Sequence, residues 1–240
     1  MISPDTRPFH FQQFSLFHHR STMKVGTDAV LLAIWTNLHG TEDVLDVGTG
    51  CGIIPLLLAA RNATIKADAV ELDSASFEEA AENFANSPFA KRLQAYHTDV
   101  NRFDPPAGKK YDLIISNPPF FINDYRPKQK KRQFTRHADS LSYSQLINVA
   151  MRLMKPKGRF ALVLPYKESK VFLQLALKSG LYLQGQMLIF PKPCKEPNRI
   201  NLLLGLSESS VKTEKLMIRD EKGNFTKEYI NMVKNYYLSP

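Results

Sequence analysis

Apolar and polar positions along this chain fall into blocks that switch between two periods. Short apolar runs of strand length alternate with longer stretches in which apolar residues return every three or four positions. The runs predict strands at 43–48, 66–71, 93–97, 111–116 and 158–165, and the stretches predict helices at 53–60, 74–86, 142–154 and 167–179. Strands alternating with helices argue for an open, mainly parallel α/β sheet. Two more strand-like segments, near 181–190 and 200–207, have no clear helix between them and suit an antiparallel pair that closes the sheet. No repeat, low-complexity block or linker interrupts the pattern. The expectation is one domain over 1–240, with a leading segment at 1–40, a core at 41–210 and a helical or extended tail at 211–240 on the sheet edge.

Composition narrows the partners. The net charge is +9 and the isoelectric point near 9.5, which favours a polyanion such as RNA. Part of the excess is local: residues 126–136 carry six cations and no acid. Cys51 and Cys194 lie far apart, which suits a reducing cytoplasm and offers no zinc spacing. The histidines are scattered, with His18 and His19 expected as a surface pair, so no metal is expected. No apolar run is long enough to cross a bilayer, and the first residues lack the apolar stretch of a secretion signal. A cytoplasmic protein with no membrane contact is expected, and no obligate protein partner is evident.

Two motifs carry chemistry. The turn Asp46-Val47-Gly48-Thr49-Gly50-Cys51-Gly52 follows the first core strand, and glycines there let backbone approach a ligand closely. Its G-x-G-x-G spacing departs from the G-x-G-x-x-G of a dinucleotide site, because position 53 is Ile. The second motif, Asn117-Pro118-Pro119-Phe120, ends the strand at 111–116. Its prolines fix φ and remove donors, so the loop presents carbonyls without competing N–H groups.

The pair resembles the class I S-adenosylmethionine methyltransferases that modify exocyclic amino groups. That resemblance implies a Rossmann-like open twisted sheet, mostly parallel with an antiparallel C-terminal hairpin strand, and S-adenosyl-L-methionine as cofactor. An exocyclic amine is a poor nucleophile while its lone pair is conjugated. The Asn117 side-chain oxygen and the Pro118 carbonyl would accept its N–H groups and turn the lone pair toward the sulfonium methyl. Pro119 stiffens the loop, and Phe120 would stack on the flipped base. Around the cofactor the resemblance implies Asp46, Gly48, Gly50 and Gly52 against its amino-acid and ribose portions. Glu71, 21 residues past Gly50, stands near the ~20 expected for an acid on the ribose hydroxyls. Asp73 suits a helix cap instead. Asp99 would accept from the adenine amino group, although a turn role suits it too. A nicotinamide dehydrogenase would explain the glycine turn but leaves Asn117-Pro118-Pro119-Phe120 without a role.

Further segments sharpen the resemblance: the aromatic-rich stretch at 9–14, the run from Met23 to Leu32, and Thr135-Arg136-His137-Ala138-Asp139-Ser140-Leu141. In combination they are similar to the bacterial tRNA-Val adenine-37 N6-methyltransferase family, from about Phe9 onward. The resemblance implies methylation of an adenine N6 in tRNA, with Lys24, Thr27 and Asp28 covering the methionine end of the cofactor. Thr27 and Asp28 also suit capping of the following helix. Because the family has no separate RNA-binding domain, tRNA would be held by the catalytic domain's own basic surface, with Lys128, Lys130, Lys131, Arg132 and Arg136 on the phosphates. Phe9, Phe11 and Phe14 read as core. A protein glutamine N5-methyltransferase, an rRNA or DNA amino-methyltransferase and a non-catalytic RNA-binding assembly factor stay open. The first predicts a peptide groove with little salt-sensitive RNA binding, the second an added recognition domain, and the third a damaged motif.

Overall fold

A computed structural model describes residues 6–118 and 141–238 of the chain. The leading segment forms a small antiparallel pair, β1 (Phe9–His10) and β2 (Ser15–Leu16), before helix α1 (Thr27–Trp35). Then come β3 (Asp43–Val47), α2 (Ile53–Arg61), β4 (Lys66–Glu71), α3 (Ser74–Ala85), β5 (Leu93–His97) and β6 (Tyr111–Ser116). The second half contains α4 (Tyr143–Leu153), β7 (Met154–Pro165), α5 (Tyr166–Lys178), β8 (Tyr182–Phe190), β9 (Arg199–Gly205), β10 (Lys212–Met217) and α6 (Lys227–Val233).

Eight of these strands make one sheet in the order β10-β8-β9-β7-β6-β3-β4-β5. Only β9 runs against the others, antiparallel to both β7 and β8. From β3 the chain winds outward through β4 and β5, then returns to β6 on the other flank. The carboxyl ends of β3 and β6 therefore meet where the winding reverses, the place where open α/β sheets bind ligands.

The core has two layers because strand side chains alternate in direction. Val44, Leu113 and Ile115 pack with α1, α2 and α3, whereas Leu45, Ile114 and Leu162 pack with α4 and α5. Strands buried on both faces read as unbroken apolar runs, which is why the sheet was visible in the sequence.

One element differs from expectation. β7 begins at Met154, four residues before the expected start, because Met154 pairs with Tyr111 ahead of a register shift. Gly158 sits in that irregular stretch, where a Cβ would meet Met154 Cγ at 2.4 Å. The tail holds a strand, β10, laid parallel on β8, and Gln12 in the leading segment bonds the end of the tail through Tyr236 and Lys234.

Candidate active site

The glycine turn is fastened over the end of β4, since the Gly48 and Thr49 amides both donate to the Val70 carbonyl, at 2.9 and 3.2 Å. Gly50 and Gly52 take left-handed φ of 57° and 85°. A Cβ on Gly52 would come within 2.5 Å of the Phe84 ring on α3, so only glycine allows helix and turn to sit this close. A Cβ on Gly48 or Gly50 would meet nothing within 4 Å. That side of the turn is open.

Three polar side chains converge from the strand ends. Glu71, the last residue of β4, accepts from the Gly50 amide at 2.8 Å through one carboxylate oxygen, and from the Leu72 and Asp73 amides at 2.9 and 3.0 Å through the other. The carboxylate is thus held by backbone, and the oxygen that meets Gly50 keeps a lone pair for a further donor. Asp46 on β3 is fully buried, and burial pushes its carboxyl up to about 7, with the nearby Glu71 charge adding to the rise. The Thr49 side chain opposes that rise, yet no hydrogen bond of ordinary geometry reaches either Asp46 oxygen or the Thr49 hydroxyl among the described residues. Asn117 lies one residue past β6, where Ser116 Oγ donates to the Val47 carbonyl at 2.7 Å and locks the two strand ends together. Asn117 Oδ1 is buried and also has no partner among the described residues, and Pro118 behind it is buried.

Helix α3 grips the leading segment. Its Asp73 cap accepts from the Ser76 amide at 2.9 Å. Further along, Glu79 is fully buried and accepts from the Arg20 and Ser21 amides and the Ser21 hydroxyl at 2.9, 2.8 and 2.5 Å. Burial alone would raise its pKa, but these donors and His19, 3.3 Å away, hold it below the ordinary carboxylate value. Asn83 accepts from the Phe17 amide at 2.8 Å and donates to the carbonyls of Phe17 and of Cys51 in the glycine turn, at 2.7 and 2.8 Å. One helix thereby fixes both the leading segment and the turn.

The remaining candidates are placed as follows. Lys24 donates to the His18 and His19 carbonyls at 2.8 and 3.3 Å, closing a loop of its own segment. Thr27 stands beside Tyr229 of α6, and Asp28 accepts from Arg199 Nε at 2.8 Å. Neither side chain caps α1, whose cap is Gly26. Asp99 Oδ1 accepts from the Asn101 amide and side chain at 2.9 and 2.8 Å, the turn role, with Oδ2 left over for another donor. His18 and His19 are half-buried instead of forming a surface pair, because His18 Nδ1 accepts from the Val25 amide and His19 faces Glu79. Phe11 and Phe14 are core, with rings stacked at 4.9 Å. Pro119, Phe120, Lys128, Lys130, Lys131, Arg132 and Arg136 lie outside the described residues. The sequence reading missed Ser76, Glu79 and Asn83.

Residues 14–174 match the model of the methyltransferase small domain family. The chain belongs to that family. The methyltransferase is 38% identical over 233 residues to a tRNA1(Val) (adenine(37)-N6)-methyltransferase of Parabacteroides distasonis, covering 96% of this chain and 97% of the relative. It is 36% identical to one of the same name from Flavobacterium psychrophilum, over 96% and 99% of the two chains. In fold it is similar to a predicted O-methyltransferase from Agrobacterium tumefaciens, with a TM-score of 0.62 at 16% identity over 89% of this chain and 99% of that one. Class I methyltransferases take their methyl group from S-adenosyl-L-methionine, and the residues here fit it. The turn leaves room where a Cβ would project, Glu71 retains acceptor capacity, and Asp46 offers a buried carboxyl that the ammonium and sulfonium of the ligand would favour in its ionised form.

Proposed function

We propose that this methyltransferase modifies the N6 amino group of an adenine in tRNA, with adenine 37 of a valine tRNA as the target. The whole chain acts as one catalytic domain. The observation that carries the reading is the pair of buried acceptors without a partner among the described residues, Asp46 and Asn117, on strand ends locked together by Ser116. An unpaired buried polar atom is costly, so such atoms mark places kept for a ligand. Relatives at 36–38% identity over nearly the whole chain carry the tRNA1(Val) (adenine(37)-N6) name, which supports the choice of acceptor.

Bound S-adenosyl-L-methionine supplies an electrophilic sulfonium methyl. Glu71 would hold the ribose hydroxyls, Asp99 Oδ2 the adenine amino group and the glycine turn the amino-acid end, under Lys24, Thr27 and Asp28. Asn117 Oδ1 and the Pro118 carbonyl would accept from the substrate amine and aim its lone pair. No strong base is required, because the amine becomes acidic only once it is methylated and cationic. Catalysis is then chiefly orientation in a dry site. Phe120 would stack on the extruded base, and the lysines and arginines at 128–136 would meet phosphates.

Purified protein with a radiolabelled methyl donor should label bulk tRNA from a strain lacking the gene, and digestion should yield labelled N6-methyladenosine. Label in a methylated guanosine or in a release factor would overturn the assignment.

A further inference from the structure

A cavity of about 900 Å³ opens at the carboxyl edge of the sheet, on the flank away from the glycine turn and Glu71. It lies where β7 passes into α5, β8 passes into β9, and β10 ends. β7 is the immediate neighbour of β6, whose end carries Asn117, so the cavity starts about one strand spacing, ~5 Å, to the side of the catalytic loop. Its lining is mainly apolar and includes Pro165, Tyr166, Pro191 and Pro197. Its rim is cationic: Lys167, Lys192, Lys195 and Arg219.

The cavity is built before anything enters it. The Tyr166 amide donates to the Asn198 carbonyl at 3.2 Å, the Asn198 amide to Ile189 at 3.0 Å, and the Arg219 amide to Pro191 at 3.2 Å, so the three loops are bolted to one another. Lys167, Lys192 and Lys195 are exposed, and their ammonium groups have no ion-pair or hydrogen-bond partner among the described residues. Arg219 lies over the Phe225 ring at 4.3 Å. Two carboxylates also line the cavity. Glu168 is occupied by the Tyr143 hydroxyl at 2.5 Å, and Glu196 is exposed. Cations outnumber them, and three of the four cations are uncommitted.

We propose that this cavity is a subsite for single-stranded nucleotides flanking the methylated base, with Tyr166 and the prolines against base and ribose and the three lysines on phosphates. A base can stack on a ring or a proline face whatever its identity, and phosphates meet lysines as point charges. The subsite rests on RNA being the substrate and deepens that reading. It places RNA contacts on loops fastened to the strand ends of the sheet.

The test compares wild type with a Lys167→Ala, Lys192→Ala, Lys195→Ala triple variant, using transcribed tRNA1(Val) and S-adenosyl-L-methionine. The triple variant should show a KM for tRNA raised about tenfold or more, and a binding slope against log salt shallower by about two to three, as for lost phosphate contacts. Its affinity for S-adenosyl-L-methionine should stay within about twofold of wild type, which also reports that the fold is intact. Tyr166→Leu should raise the KM for tRNA several-fold, and Tyr166→Phe, which keeps the ring, should not. Wild-type KM and salt slope in the triple variant, with wild type methylating tRNA normally, would overturn the subsite and leave the function standing. A wild-type protein that methylates no tRNA would instead overturn the function on which it rests.

Discussion

Glu79→Ala tests whether helix α3 holds the leading segment over the cofactor residues. The substitution removes the acceptor for two backbone amides and one hydroxyl, Arg20 N, Ser21 N and Ser21 Oγ. Each buried donor left without a partner costs about 1–3 kcal/mol. The Arg20 amide is only partly buried and can rewet, so the Ser21 pair dominates and the loss should be about 3 kcal/mol. Glu79→Gln, which keeps an acceptor but no charge, should lose roughly half of that. Because the folded pKa is depressed, the stabilisation is present above the ordinary glutamate value near ~4.3 and is lost as pH falls through the folded value. The gap between wild type and variant should therefore close in acid. Urea unfolding at neutral and acidic pH measures the stability. Trypsin digestion followed by mass spectrometry measures exposure of Arg20 and Lys24, which should be cut faster in the variant. A stability loss under about 1 kcal/mol with unchanged cleavage would refute the clamp.

Asn117→Ala should leave cofactor affinity near wild type while lowering turnover far more than tenfold; retention of over a tenth, a barrier rise under ~1.4 kcal/mol, would deny it the orienting role. Glu71→Ala should weaken S-adenosyl-L-methionine binding by about 1 kcal/mol or more in a calorimetric titration, and equal affinity would move the ribose contact elsewhere. Asp46 tests the sign of a raised pKa. Its ionisation penalises the folded state fully above about 7 and not at all below the unfolded value near ~3.9. Asp46→Asn should consequently stabilise the ligand-free protein at pH 8 by one to a few kcal/mol, on the order set by that shift, with the gain shrinking as pH drops. The same variant should bind S-adenosyl-L-methionine more weakly, and a thermal-shift series across pH with and without ligand reads both effects.

The doubly covered strands were legible because burial on both faces leaves only apolar side chains to choose from, as in Leu113-Ile114-Ile115 of β6. The edge was not. β10 is Lys212-Thr213-Glu214-Lys215-Leu216-Met217, with only Leu216 buried, and charge on an edge strand hides its period. Chemical motifs were readable where one residue type is forced, as at Gly52 beneath the Phe84 ring. The clamp was missed although it left a trace. Ser76, Glu79 and Asn83 recur at helical spacing and are buried, so α3 carries a polar stripe where a core stripe is usual. Its partners, Phe17 to Thr22, are over fifty residues away, and no local pattern joins them. A longer separation, 171 residues, hid the Asp28–Arg199 ion pair, which ties α1 to the start of β9.

The most direct measurement of the central claim is mass spectrometry of the anticodon-loop fragment of tRNA1(Val) from three strains: wild type, a deletion of this gene, and the deletion carrying Asn117→Ala. The account predicts N6-methyladenosine at adenine 37 in wild type only, with unmodified adenosine in the other two. Undiminished N6-methyladenosine in the deletion strain, or full restoration by the Asn117→Ala protein, would contradict it.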